Sequence, residues 1–309
     1  MTARIVLKFT DSSQAEFFNI ISFSFSKDVY VPYTSLSAKL SVSGSLCDFS
    51  GVSEICLYIG SDCVHHGLVD SIRTYTEKGV QFLTLSSRGF TSLLLQNQME
   101  EGIISGISLN SRMDGFYTLP YITQENNSDE SSYIYIKKSS SMWDGVVCLG
   151  YKLYGIYPYI RGTNCVRISA ESSPESFSFT ADELTSHGRS LSLRRAVSGF
   201  HMADISGEYD TYVRYDQNIA DRKIIRNRFF ELDRQFLYAP EEALVFHDKI
   251  ANRGIVSDFC TYCGFSGEDL YDVVSFPNVS SKRIASVSIS GSSQGIFTTI
   301  GVCTDDFFR

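Results

Sequence analysis

"CVHHGLVDSIRTYTEKGVQFLTLSSRGFTSLLLQNQ", residues 63–98, admits two readings, one chemical and one architectural. As chemistry, His65 and His66 stand beside Cys63, with Asp70 close behind. As architecture, the runs 63–72 and 80–87 are rich in β-branched and aromatic residues and flank the turn Glu77-Lys78-Gly79. Phe90, Leu93, Leu94 and Met99 then take helical spacing. Successive side chains of a strand point to opposite faces, so the two imidazoles cannot meet on one metal. Cys63 and His65 could share a face, but Asp70 would need a bend to join them. The stretch therefore reads as a β-hairpin with one imidazole inward and one outward. Gly79 is expected at positive φ in its turn.

The same pattern extends outward. Residues 4–9, 17–25, 35–44 and 54–60 are further short strand-like runs, and Leu36, Ala38, Leu40 and Val42 alternate with polar neighbours. Gly60-Ser61-Asp62 separates two of these runs. Residues 1–88 are expected to form a small antiparallel β-barrel. From 89 to 190 helix and strand mix. Ser141 is a helix N-cap, and Met142, Val146, Leu149 and Leu153 form one stripe. A polar loop is expected near 124–132 and a Ser-rich loop near 169–190. Residues 191–309 return to strands and are expected to form a second barrel with an inserted helix, 240–253. In that helix Pro240, Glu241 and Glu242 suit the start, and Lys249, Arg253 and Gly254 suit the end. The fold class is thus β-rich α+β, two small antiparallel β-barrels flanking a mixed α/β middle.

The chain of 309 residues carries 27 basic and 35 acidic side chains, a formal charge of −8. That excludes a sequence-independent nucleic-acid binder, which needs a basic face, though not an acidic surface along which DNA slides. No apolar run reaches the length of a signal peptide or a membrane span, so synthesis in a cytoplasm and no stable membrane binding are expected. Eight Cys at irregular spacing are not a disulfide framework. Cys47, Cys56, Cys148, Cys165 and Cys303 have apolar neighbours and read as reduced, buried thiols.

The other chemical candidates dissolve on inspection. Cys260 and Cys263 form a C-x-x-C without a second pair, in a strand that would place the sulfurs on opposite faces. Gly291-Ser292-Ser293-Gln294-Gly295 has the letters of a nucleophile elbow, but strand-like segments lie on both sides, as in a hairpin loop. His187, His201 and His247 make no triad order, and the basic run 221–228 reads as a solvated face or a salt-bridge partner. No catalytic residue, cofactor or metal is expected.

Gly67-Leu68-Val69-Asp70, then Ser87-Arg88-Gly89-Phe90 and Ser92-Leu93-Leu94, resemble in order and spacing an element of phage tail baseplate hub proteins. That family comprises the late control protein D and the Mu-like and contractile-phage hubs. The segments 29–44, 141–160 and 282–302 are similar to its neighbouring parts. Arg88-Gly89 inverts the commoner order, and His65-His66 is not a family feature. The resemblance implies a structural, non-enzymatic virion protein of the tail baseplate. It would form a homotrimer whose subunits give two barrels each to a pseudo-six-fold ring. That ring would join the hexameric tail tube to the trimeric central spike. It would also touch other baseplate proteins and the tape measure protein, with DNA only as passing cargo. The rival expectations are a cell-wall-degrading tail hydrolase and a distal-tail or tube-initiator ring.

Overall fold

In the computed structural model, which describes residues 2–42, 49–110, 119–234 and 239–303, the first alternating runs become antiparallel strands. They are β1 (Ala3–Phe9), β2 (Gln14–Phe17), β3 (Ile20–Asp28), β4 (Ser35–Val42), β5 (Val52–Ile59), β6 (Asp62–Glu77) and β7 (Val80–Gly89). Leu36, Ala38 and Leu40 are buried while Ser37 between them is exposed, the alternation expected of a half-buried strand. Residues 17–25, expected as one strand, divide after Phe17. β2 folds back on β1 around Asp11, whose carboxylate accepts from the Ser13 amide at 2.9 Å, while β3 pairs with β4. The β6–β7 turn has Lys78 at φ +51° and Gly79 at φ +80°, the two-residue geometry that matches strand twist.

The middle of the chain mixes the two element types. After a 3-10 turn at Phe90–Ser92, the expected helix is only α1 (Leu93–Gln96). Asn97 turns extended, its side-chain amide donating to the Leu93 carbonyl at 2.9 Å, so Met99 lies outside. β8 (Gly102–Ile107) pairs with β10 (Ser131–Ile136), while β9 (Thr123–Gln124), β11 (Tyr159–Arg161) and β12 (Cys165–Arg167) form a second small sheet. α2 (Met142–Tyr154) starts where Ser141 and Asp144 satisfy each other's backbone amides, at 3.1 and 2.8 Å, and ends at Gly155 with φ +68°. Its Trp143, Val146 and Leu149 fill the core of this region.

The Ser-rich stretch expected as loop instead carries β13 (Ser176–Ser178) and β14 (Leu184–Leu191). β14 is mostly exposed and polar, so it shows no apolar alternation that a sequence reading could detect. The span 191–309, expected as one second barrel, divides. β15 (Gly199–Met202), β16 (Tyr212–Tyr215), α3 (Gln217–Asp221), β17 (Asn227–Phe230) and α4 (Pro240–Ala251) build a separate unit. Its three-stranded sheet buries Phe200 and Met202 beside Ala243 and Leu244 of α4. α4 stops at Asn252, two residues short of the expectation.

β18 (Val256–Cys263), β19 (Val273–Phe276), β20 (Val279–Ser292) and β21 (Gly295–Cys303) then join the first strands in one thirteen-stranded sheet. Its order is β14-β18-β21-β20-β3-β4-β7-β6-β5-β1-β2, with β13 and β19 attached through β20. Among the described residues this path is open at β14 and β2, with no closed barrel. Its middle is the pairing of Ser286–Ser292 on β20 with Ser22–Asp28 on β3. One core lines the whole sheet, from Ile5, Leu40 and Leu57 to Ile289, Ile300 and Val302. Burying an aliphatic side chain of that size contributes roughly 1.5–3 kcal/mol.

Candidate assembly surfaces

The polar residues of the opening stretch are spent on holding strands together. His65 is fully buried, with Nδ1 2.7 Å from Thr34 Oγ1 and Nε2 2.7 Å from Ser87 Oγ. Burial drives its pKa down to about 3, so it is a neutral hydrogen-bonding strut. His66 faces the other way and meets Glu54 at 2.7 Å. Glu54 also accepts from Lys8 at 2.8 Å and from the Tyr121 hydroxyl at 2.5 Å. Burial works against the Glu54 carboxylate, but these three donors outweigh it and hold the group at about 2. Asp70 sits at a β-bulge and takes a bidentate pair from Arg88, at 2.9 and 2.8 Å. Cys63 is exposed, its thiol drawn down to about 7 chiefly by a hydrogen bond with Cys56. Among the described residues no three His, Cys, Asp or Glu side chains converge as metal ligands.

The remaining candidates are scattered. Cys260 is buried and Cys263 exposed, on opposite faces of β18. Of the thiols expected to be buried, Cys56 is, while Cys148 and Cys165 are half-buried; Cys47 lies outside the described residues. Gly291 to Gly295 is a strand–turn–strand, with Ser293 and Gln294 turning β20 into β21. A Cβ at Gly291 would fall 2.0 Å from the Phe23 ring, so this glycine makes room for an aromatic side chain on β3. His187 is exposed on β14, His201 stacks on Phe229 at 4.7 Å, and His247 stacks on Phe230 at 4.0 Å. In the run 221–228, Arg226 donates to the Arg194 and Ala196 carbonyls at 2.5 and 3.2 Å. Arg222, Lys223 and Arg228 of the same run are exposed, as expected of a solvated face.

A buried ionic network escaped the sequence reading. Lys27 is 6% exposed, paired with Asp269 and donating to the Gly162 carbonyl at 2.7 Å. Burial pushes its ammonium pKa down, with Asp269 opposing. Beside it Arg161 binds Asp272, at 2.9 Å, and Glu171, at 3.1 Å. β3, the β11–β12 turn and the segment before β19 are locked together at this point. The available signal was phase: Lys27 shares the parity of Phe23 and Phe25 on β3, the inward set.

What the surface offers instead is apolar. Phe18, Ile21 and Val80 are exposed at 65%, 39% and 47%. The register places them near one end of the large sheet, where β3, β4 and the β6–β7 turn meet. A second patch is the face of the β15–β16–β17 sheet away from α4, where Tyr215 and Phe229 flank His201. Large contiguous patches of exposed apolar side chains are candidate surfaces for other chains.

No family model matches the chain, and no curated protein matches its sequence. Its fold, however, matches solved structures over the full length. A tail protein from Neisseria meningitidis superposes with a TM-score of 0.73 at 13% identity, covering 100% of this chain and 98% of the other. The 43 kDa tail protein of prophage MuSo2 from Shewanella oneidensis gives 0.72 at 15% identity, covering 99% and 100%. An E. coli type VI secretion system component, described as structurally similar to the T4 bacteriophage tail proteins gp27 and gp5, gives 0.57 at 7% identity over 94% of this chain and 75% of that one. The chain has the fold of these phage tail proteins.

Proposed function

We propose that the protein is the structural hub of a contractile tail baseplate, in a phage or a phage-derived injection particle. Three copies form a pseudo-six-fold ring between the hexameric tail tube and the trimeric central spike. The ring also contacts other baseplate proteins and the tape measure protein, and DNA crosses it only as cargo. The observation that carries this reading is the end-to-end correspondence with two tail proteins, with nearly nothing left over on either side. On this reading each subunit brings two strand-rich ends to the ring, β1–β7 and the group of β14, β18, β20 and β21. The pairing of β3 with β20 joins the two ends in one sheet. The net charge of −8 suits a passage that must not hold a polyanion.

The test is light scattering on purified protein, followed by negative-stain imaging. A mass three times the 34.6 kDa chain and six densities per ring are expected. A ring of six chains would assign the protein to a tube-initiating or distal-tail role, and a monomer at high concentration would remove the ring altogether.

A further inference from the structure

The chain is acidic, yet it gathers arginines at one place. An open cleft of about 700 Å³ lies between the end of β14, the start of β17 and the last turn of α4, and Arg194, Arg195, Arg228 and Arg253 line it. The first three are exposed, and among the described residues their guanidinium groups meet no carboxylate. Arg194 and Arg195 sit on a turn whose carbonyls Arg226 grips at 2.5 and 3.2 Å, so their backbone is held for display. Arg253 is already engaged: it donates to the Ile250 carbonyl at 2.7 Å and lies over the Tyr30 ring at 5.1 Å. Asp28, the carboxylate in the lining, accepts from the Tyr30 amide at 2.8 Å, and burial raises its pKa. Like charges brought together without partners repel, so this arrangement favours a ligand that supplies the missing negative charge.

We propose that this cleft binds an acidic, partly apolar peptide segment of another protein. The proposal rests on the hub reading for the source of the segment, a neighbouring tail subunit. Charge complementarity supplies the negative side chains: each of three arginines can take a carboxylate bidentately. The walls supply the rest, because Val31, Ile250 and Ile255 are aliphatic and suit interleaved apolar side chains. Nucleic acid fits less well. Tyr30, which could stack a base, is covered by Arg253 and packs edge-on to Tyr157 at 5.4 Å, and the surrounding negative charge repels a long polyanion.

Fluorescence anisotropy with a labelled octapeptide of alternating aspartate and leucine tests this on the full chain. Binding is expected to weaken with added salt and to drop about tenfold or more in an Arg194→Ser, Arg195→Ser double variant. The asparagine version of the peptide should not bind, and Arg73→Ser, an exposed cation on β6, should leave affinity unchanged. Absence of binding at low salt would overturn the proposal, as would equal binding by the double variant. Tighter, equally Arg-dependent binding of a DNA oligonucleotide would overturn the peptide assignment. The same sample's mass by light scattering keeps the two readings apart. A trimer that ignores the peptide loses the cleft and keeps the hub, and a monomer that binds it does the reverse.

Discussion

A histidine wedged between two hydroxyls is a pH-dependent strut. His65 has a folded pKa of about 3 against an ordinary value of 6.5, because burial disfavours its charged form. The unfolded chain therefore takes up this proton first. The stabilisation is complete above pH 6.5 and drains away as pH falls toward 3, by up to about 1.4 kcal/mol per pH unit. Urea unfolding of the native protein at pH 7 and pH 5, beside His65→Gln, should show a steeper loss in the native protein; equal slopes would place the burden elsewhere. The sequence makes this role half legible. Opposite faces for His65 and His66 follow from strand geometry alone. Nothing local reveals that Thr34 and Ser87, far apart in the chain, would meet the two ring nitrogens. Lys27 is similar: its phase on β3 was visible, its partner Asp269 was not.

The β6–β7 hairpin contains two glycines that matter for different reasons. Gly79 has φ +80° and open space around the position of a Cβ, so substitution costs only backbone strain. Gly67 is hemmed in: a Cβ there would fall 2.3 Å from the Arg88 carbonyl oxygen and 2.8 Å from the His65 ring. Gly79→Val should therefore lose roughly 1–3 kcal/mol, while Gly67→Ala should lose more than Gly79→Ala despite adding the same methyl group. Thermal melts of the three variants would check the order, and an inverted order would mean the hairpin relaxes freely. Turns and capped helices were the readable elements: the Lys78-Gly79 turn and the Ser141 cap stand as expected because their signals are local. β14 and the short α1 were not, the first for want of apolar alternation, the second because a single side chain, Asn97, ends the helix.

At the scale of the molecule, the two strand-rich ends were legible but their union was not, since a pairing between residues 22–28 and 286–292 has no local signature. The shared sheet predicts shared stability. Amides of Leu40 on β4 and Ile300 on β21 should exchange with the same opening free energy in native-state hydrogen exchange, and Ile289→Asp, which places a charge at the fully buried seam, should lower both together. Protection lost at Ile300 alone would show two independent halves. The seam also has a consequence for how the protein is made. β3 can pair with β4 soon after it is made, yet its other neighbour, β20, lies 263 residues further along the chain at Phe25 and Ser288. Until β20 is made a growing chain carries a raw edge and half a core, and it waits on contacts of very long sequence separation, which form slowly. Chains that lack β20 therefore leave one edge of β3 and the apolar residues beside it uncovered. Folding of this sheet cannot finish until β20 has been made, and chains that stop short of it are left prone to aggregation.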